Sequence, residues 1–370
     1  MNSGSVDLIY LDPPFNSNAN YAAPIGSKAA GAEFKDTWGL DDLKIAWLDL
    51  IEAKHPRLWH VIQAAMTDSD KSCLIYMAAR LLEMHRLMKS TGSIYLHCDP
   101  TMGAYLKLLL DAIFGKGNFR NEIIWHYYNG TSNIKRAWVR KHDVLLFYSS
   151  ESELTYFNED KAHEPYVPNS NFVKNPESFG SKYKPHPLGK RRHDVWRMPT
   201  INNIAKERTG YPTQKPLALL DRIIQASSEI GDMILDPFCG CATTCVAADA
   251  LGRQWVGIDI SPKAAELVKH RINDLARTII NRTDIPQRTD IGQLIRFNDV
   301  RNKRLLYGEQ GGICNGCKTH FKIQNLTVYH IIPRSKGGTD HLENLQLLCG
   351  HCNSVKGNRG MEYLITKLAA

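Results

Sequence analysis

No run of about 18 apolar residues occurs in this 370-residue sequence, so it offers no candidate transmembrane helix. Residues 1–20 lack the basic start and apolar core of a secretory signal. Low-complexity tracts and internal repeats are missing as well. There is no disulfide framework either: Cys73, Cys98, Cys239, Cys241 and Cys245 are scattered or crowded, and the other four cysteines fall into two CxxC pairs. Without a secretion signal, that pattern points to a reducing cytoplasm and a bound metal. The triple-glycine fingerprint that cradles a pyrophosphate is also absent, which disfavours a dinucleotide.

What is present describes an ordinary globular protein, with 43% apolar and 23% charged residues. The length allows two domains of roughly 100–200 residues each. A formal charge of +8 makes a polyanion a plausible partner, nucleic acid first.

Val6-Asp7-Leu8-Ile9-Tyr10-Leu11 reads as a buried strand, ended by Asp12-Pro13-Pro14-Phe15. The prolines stop the strand and remove two backbone donors. What remains is a carboxylate, stiffened carbonyls and an aromatic face, a set suited to a flat heterocycle with an exocyclic amine. Asp-Pro-Pro alone reads equally as a strand-ending turn. Asn16-Ser17-Asn18 then reads as a flexible loop. Helical spacing follows from Leu43 to Ile51 and from about Lys71 to Met88, the latter ended by Gly92. Ser93–His97 is a strand, Tyr105–Phe114 a helix, and Asn121–His126 and Asp143–Tyr148 two more strands. This alternation predicts an α/β fold with a mainly parallel sheet. From 127 to 210, basic residues (Lys135, Arg136, Arg140, Lys141, Lys182, Lys184, Lys190, Arg191, Arg192) interleave with aromatics, a composition suited to phosphates and bases.

Asp232–Asp236 is a second acid-ended strand, running into Pro237-Phe238-Cys239-Gly240-Cys241-Ala242, a small-residue helix from Thr243 to Leu251, and the strand Gln254–Asp259. Gly240 and Asp259 lie about twenty positions apart, the spacing at which an acid meets ribose hydroxyls. With Ala242 in place of a further glycine, the pattern suits S-adenosylmethionine, which has a ribose and no phosphates. A purely structural βαβ unit is the alternative.

On these motifs the chain resembles the permuted amino-group DNA methyltransferases, in which the catalytic motif precedes the cofactor motif. Asp12-Pro13-Pro14-Phe15 matches the family's catalytic tetrapeptide and Asp236-Pro237-Phe238-Cys239-Gly240 its cofactor loop. Thr213-Gln214-Lys215-Pro216 resembles the segment closing over the cofactor's methionine end. The resemblance implies a Rossmann-like, doubly wound, mostly parallel sheet over residues 1–280, with target recognition in 127–210. It implies cofactor contacts from Asp236, Phe238, Gly240, Asp259, Thr213 and Lys215. It also implies methyl transfer to the amine of a flipped base held by Asp12 and the Pro13 carbonyl and stacked on Phe15. An Asp before Pro-Pro resembles adenine-N6 enzymes, and cytosine N4 is the alternative. Relatives carry an upstream Gly-Asp segment; with Met1 so near the catalytic strand, the expectation is that either the start is truncated or that edge is formed differently.

After a linker over 281–308, Cys314-x-x-Cys317 and Cys349-x-x-Cys352 form a strong structural zinc signal in a module over 309–370. The residues between them resemble an HNH nuclease finger, a small ββα zinc fold. The resemblance implies His330 as general base, Asn344 orienting it, and Asn353 on a divalent metal, Mg²⁺ or Mn²⁺, if the module cleaves. Tyr329 stands where that family carries a metal-binding Asp, and a neutral phenol is a poor substitute. Ten Lys and Arg against four acids from residue 301 onward suit a DNA grip. The expected function is therefore adenine-N6 methylation of double-stranded DNA in the cytoplasm, with a DNA-binding HNH-like module. The alternatives are a bifunctional modification and cleavage enzyme and a DNA-binding protein with both centres degraded. A homodimer is left open.

Overall fold

The computed structural model describes residues 1–15, 19–23, 27, 29, 33–36, 48, 50–128, 134–167, 171–175, 184–202, 204–272, 295–336 and 338–369. The loop expected at Asn16-Ser17-Asn18, the helix expected from Leu43 as far as Trp47, and the first half of the linker, 281–294, lie outside these residues. By contacts the chain divides into two compact units. The first holds Met1, 3–37 and 84–286; the second holds Asn2, 38–83 and 287–370. No helix among the described residues is long and apolar enough to cross a membrane.

Among the described residues the first unit carries eleven strands: β1 (Val6–Leu11), β2 (Ala19–Ala22), β3 (Glu33–Asp36), β4 (Met88–Cys98), β5 (Phe119–His126), β6 (His142–Ser149), β7 (His163–Glu164), β8 (Lys190–Arg191), β9 (Val195–Arg197), β10 (Met233–Asp236) and β11 (Gln254–Gly257). Seven of them form one sheet in the order β11-β10-β1-β4-β6-β5-β9. Strands β11, β10, β1 and β4 are parallel, and their central members are buried on both faces, as continuous apolar runs require. Strand β6 pairs antiparallel with both β4 and β5, so it alone is reversed. The expectation of a mainly parallel sheet thus holds over β11, β10, β1 and β4 and gives way where β5 and β6 pair as consecutive antiparallel neighbours.

Two expected boundaries differ. The long helix is Asp68–Leu87 and passes directly into β4, so Gly92 does not end it. Gly92 lies at an irregularity of the β1–β4 ladder, where a Cβ would come within 3.0–3.2 Å of the carbonyl oxygens of Lys89, Asp7 and Val6. The helix after the cofactor motif runs Thr243–Ala250, and the next, Pro262–Ile272, is described only to its last named residue. The core under the sheet joins Leu8, Tyr10, Tyr95, Ile123 and Phe147 to Leu219, Leu220, Ile223 and Ile224 of the helix Leu217–Ser227, and to Ala247 and Ala248.

The second unit carries β12 (Leu326–His330) and β13 (Leu345–Cys349), an antiparallel pair packed with the helices Gly350–Lys356 and Met361–Ala369. Its core gathers Leu306, Leu326, Val328, Leu345, Leu347, Leu348 and Leu364 around the cysteines. Within this same unit, Leu50 and Ala53 pack on Ile331 and Ile332, and Lys54 pairs with Glu309 at 3.5 Å.

Candidate functional site

The two acid-ended strands, more than two hundred residues apart in sequence, are hydrogen-bonded neighbours: Leu8 pairs with Ile234 and Ile9 with Leu235, both strands running the same way. Their carboxyl ends therefore deliver Asp12-Pro13-Pro14-Phe15 and the Pro237–Ala242 loop to the same edge of the sheet, where ligands bind in open α/β folds.

Asp12 is held by Lys215, whose Nζ lies 2.5 Å from Oδ2 and also donates to the Thr213 carbonyl at 3.3 Å. The lysine side chain is nearly buried and stands 5.4 Å from the centre of the Phe15 ring. Phe15 in turn lies over His97, with ring centres 5.8 Å apart. His97 is fully buried: Nδ1 shares a hydrogen bond with the Tyr10 hydroxyl (2.8 Å) and Nε2 with Asp143 Oδ2 (3.2 Å). Burial pushes the Asp143 carboxyl up, but the contacts with His97, the charge of Lys215 and the Tyr127 hydroxyl together hold it below the usual range. The catalytic-type strand end thus rests on a buried polar network drawn from β1, β4 and β6.

The cofactor-type loop is tightly wound. Gly240 has φ +50°, Ala242 sits left-handed at φ +56°, and Thr213 has φ +60°. Non-glycine residues in that region cost about 1–3 kcal/mol each and cluster at ligand sites. A Cβ on Gly240 would come within 3.0 Å of the Tyr211 ring, so a larger residue there would press on the 209–215 segment. Asp259 accepts the Gly240 N–H at 2.8 Å and the Ser261 N–H at 2.7 Å, and a carboxylate with these two bonds still has acceptor capacity for hydroxyls. Asp236 lies beneath the loop rather than in it. It is 3% exposed, accepts the Phe238 N–H at 3.1 Å, and burial pushes its carboxyl up to about 7.

In the second unit the four thiol sulfurs of Cys314, Cys317, Cys349 and Cys352 lie within 4.8 Å of one another. A tetrahedral Zn²⁺ with bonds near 2.3 Å separates its sulfurs by about 3.8 Å, and Cys317 and Cys349 stand 4.0 Å apart. The Cys349 N–H donates to the Cys314 sulfur at 3.2 Å, and a Cβ on Gly316 would come within 2.8 Å of the Cys352 sulfur. The donor set and this close cradle fit a structural zinc.

His330, at the end of β12, has a partner that sequence reasoning missed. Its Nε2 is 2.8 Å from Asp340 Oδ1, and Asp340 also receives Arg334 and the Phe297 N–H. Asn344, expected to orient the imidazole, instead bonds the backbone, accepting from Ile332 N–H at 2.8 Å and donating to the Ile332 and Thr339 carbonyls. Tyr329 donates its hydroxyl to the Gly357 carbonyl at 2.8 Å. Asn353 lies half-buried on the helix Gly350–Lys356, one residue beyond Cys352. No sequence signal pointed to Asp340 or Asp143, because both act through contacts set by the fold.

With this geometry in hand, comparison with known proteins finds that residues 6–270 match the DNA methylase family. The chain belongs to that family. Residues 314–359 match the HNH endonuclease family, so this DNA methylase carries an HNH domain. Among its relatives, a DNA adenine methyltransferase of Escherichia coli K12, YhdJ, is 28% identical over 274 residues, covering 73% of this chain and 76% of the relative. The type II methyltransferase M.HpaI of Haemophilus parainfluenzae is 26% identical, covering 74% and 70%. Among solved structures, the M1.HpyAVI–SAM complex aligns with a TM-score of 0.42 at 19% identity over 73% of this chain and 90% of that one. The cytosine-N4-specific PvuII DNA methyltransferase aligns with a TM-score of 0.44 at 11% identity over 75% and 83%.

Proposed function

We propose that this DNA methylase transfers a methyl group from S-adenosylmethionine to N6 of an adenine flipped out of double-stranded DNA. The observation that carries this reading is the side-by-side pairing of β1 and β10, which brings Asp12 and the Gly240 loop to one edge. The cofactor supplies an electrophilic methyl on a sulfonium. Asp259 and the Gly240 turn would hold its ribose end, and the Thr213–Lys215 segment would close over its methionine end. Asp12 Oδ1 and the Pro13 carbonyl accept the amine's two N–H bonds and draw the nitrogen lone pair out of conjugation, while Phe15 stacks on the base. The proton leaves N6 only after the methyl has joined it, so Asp12 need not be a base beforehand. Adenine is favoured by the Asp in the tetrapeptide and by the similarity to a relative named as an adenine methyltransferase. The exposed basic residues Lys135, Arg136, Arg140, Lys184, Lys190 and Arg191 support contact with the DNA backbone.

Digesting DNA incubated with the protein and S-adenosylmethionine to nucleosides and separating them by mass spectrometry tests this. N6-methyladenine is expected; N4-methylcytosine alone sinks the adenine assignment.

For the HNH domain we infer a DNA-gripping role, because Tyr329 brings no carboxylate and its hydroxyl is engaged by Gly357. The His330–Asp340 pair favours a second reading, metal-assisted nicking. Supercoiled plasmid with Mg²⁺ or Mn²⁺ separates the two.

A further inference from the structure

A second pocket, of about 110 Å³, opens in the methylase unit between the helix Leu217–Ser227 and the edge strand β9, and none of the Asp12 crevice residues lines it. Tyr95, Phe147, Phe157 and Trp196 supply its apolar wall, while Arg192, Arg222 and Lys161 bring positive charge. Its polar side is unfinished. Arg192 Nε is buried and makes no hydrogen bond: its ion pair with Glu164 Oε2, at 3.9 Å, is too long for one, and the other Glu164 oxygen takes Lys190 at 3.1 Å. Arg222 is laid over Trp196, its guanidinium carbon 4.9 Å from the ring centre. Burial, and then the charge of Arg192, lowers the Arg222 guanidinium to about 10. Asp194 is the lining carboxylate, and it is exposed.

Two arginines line one pocket, and a buried N–H left without a hydrogen bond costs folding free energy, a bond that the 3.9 Å ion pair with Glu164 does not supply. A planar guanidinium fork matches the oxygens of a phosphoryl group, and the pocket is of a size for one such group. We propose that Arg192 and Arg222 form a binding site for a phosphoryl group, set back along the sheet from the methyl-transfer crevice. The group is either a DNA backbone phosphodiester flanking the target or the phosphate of a small molecule. The site goes beyond the methyl-transfer reading and does not depend on which base is modified.

Thermal unfolding of the full chain in phosphate-free buffer, with inorganic phosphate as probe, tests the proposal. A saturable rise in Tm is expected for the wild type. Arg192→Gln and Arg222→Gln should each bind phosphate at least tenfold more weakly. Arg192→Gln should also unfold no earlier than wild type in the phosphate-free buffer, since it removes a buried donor that makes no hydrogen bond and, with it, only a long, partly exposed ion pair to Glu164; an arginine that merely held the fold together would lower Tm when replaced. No response of the wild type to phosphate, or equal responses of wild type and both variants, overturns the proposal. With phosphate binding established, duplex DNA titrated at several salt concentrations identifies the source. A slope of log K against log salt reduced by about one in each variant assigns the site to a backbone phosphodiester. An unchanged slope assigns it to a small phosphorylated molecule. Failure of methyl transfer leaves both readouts intact, so the two proposals stand or fall separately.

Discussion

Lys215 is bonded to Asp12 across 203 positions of sequence, at 2.5 Å, with Phe15 beside both. The pair ties the proposed cofactor-closing segment to the proposed catalytic carboxylate. One oxygen of Asp12 faces the lysine, which leaves the other and the Pro13 carbonyl to receive an amine. Lys215 was expected among the cofactor contacts; the structure places its ammonium on Asp12.

Replacing Asp12 removes the acceptor on which the proposed transition state depends. Asp12→Ala should lower kcat by about a thousandfold, the scale at which one charged, preorganised contact acts, while leaving affinity for duplex DNA within a few fold. Labelled-methyl transfer and a DNA-binding titration check the two halves. Near-normal transfer would show that the tetrapeptide is not the catalytic centre.

If Lys215 orients Asp12, Lys215→Met should lower kcat/KM for DNA by about ten- to a hundredfold, as a misplacement of about an ångström does. Lys215→Arg, which can still reach the carboxylate, should retain most of the activity. A loss equal in both variants, confined to KM for S-adenosylmethionine, would assign the lysine to the cofactor alone.

Asp236 gives a pH signature. Burial raises its carboxyl to about 7 in the folded protein, against about 3.9 unfolded. Below pH 4 both states are protonated. Between 4 and 7 the folded state holds a proton that the unfolded state has released, so this group's contribution to stability falls as pH rises and is constant above about 7. Asp236→Asn cannot ionise and can still accept the Phe238 N–H. The Tm of the variant relative to wild type should therefore climb from pH 4.5 to pH 7 and then level off. A difference independent of pH would mean that Asp236 ionises normally in its site.

Much of this arrangement was legible in the sequence, and the part that was not has a common cause. Strands β1 and β10 stood out because buried parallel strands read as unbroken apolar runs, and each ends in an acid followed by proline. The CxxC pairs carry their ligand geometry in their spacing. What could not be read was pairing between distant side chains: Lys215 with Asp12, His97 with Asp143, Asp340 with His330. Such contacts leave no periodicity. Gly92 misled for a different reason, since glycine marks both a helix stop and a strand irregularity, and here the close approach of the β1 carbonyls chose the second.

The cysteine cluster predicts metal dependence confined to the second unit. The purified protein should contain about one zinc per chain, and Cys352→Ser should lose it. Removing the metal with a chelator should unfold the 314–359 region, because small modules of this kind rely on their metal for folding. Proteolysis should then cut there while residues 84–272 stay protected. Retention of a full zinc equivalent in Cys352→Ser would show that the four thiols are not the ligand set.

His330 and Asp340 decide what the HNH domain can do. A carboxylate on Nε2 holds the imidazole in one orientation and supports a proton on that nitrogen, which leaves Nδ1 as the basic atom. The pair would supply one half of a hydrolytic site, whereas Tyr329 supplies no carboxylate for a metal. The wild-type protein is therefore expected not to nick supercoiled plasmid with Mg²⁺ or Mn²⁺, and Tyr329→Asp to gain nicking. Adding Asp340→Asn to Tyr329→Asp should reduce the gain by about a hundredfold, and adding His330→Ala should abolish it. Nicking by the wild type that disappears in His330→Ala would establish that the domain recruits its metal without a carboxylate at position 329, and would make this methylase a modification and cleavage enzyme in one chain.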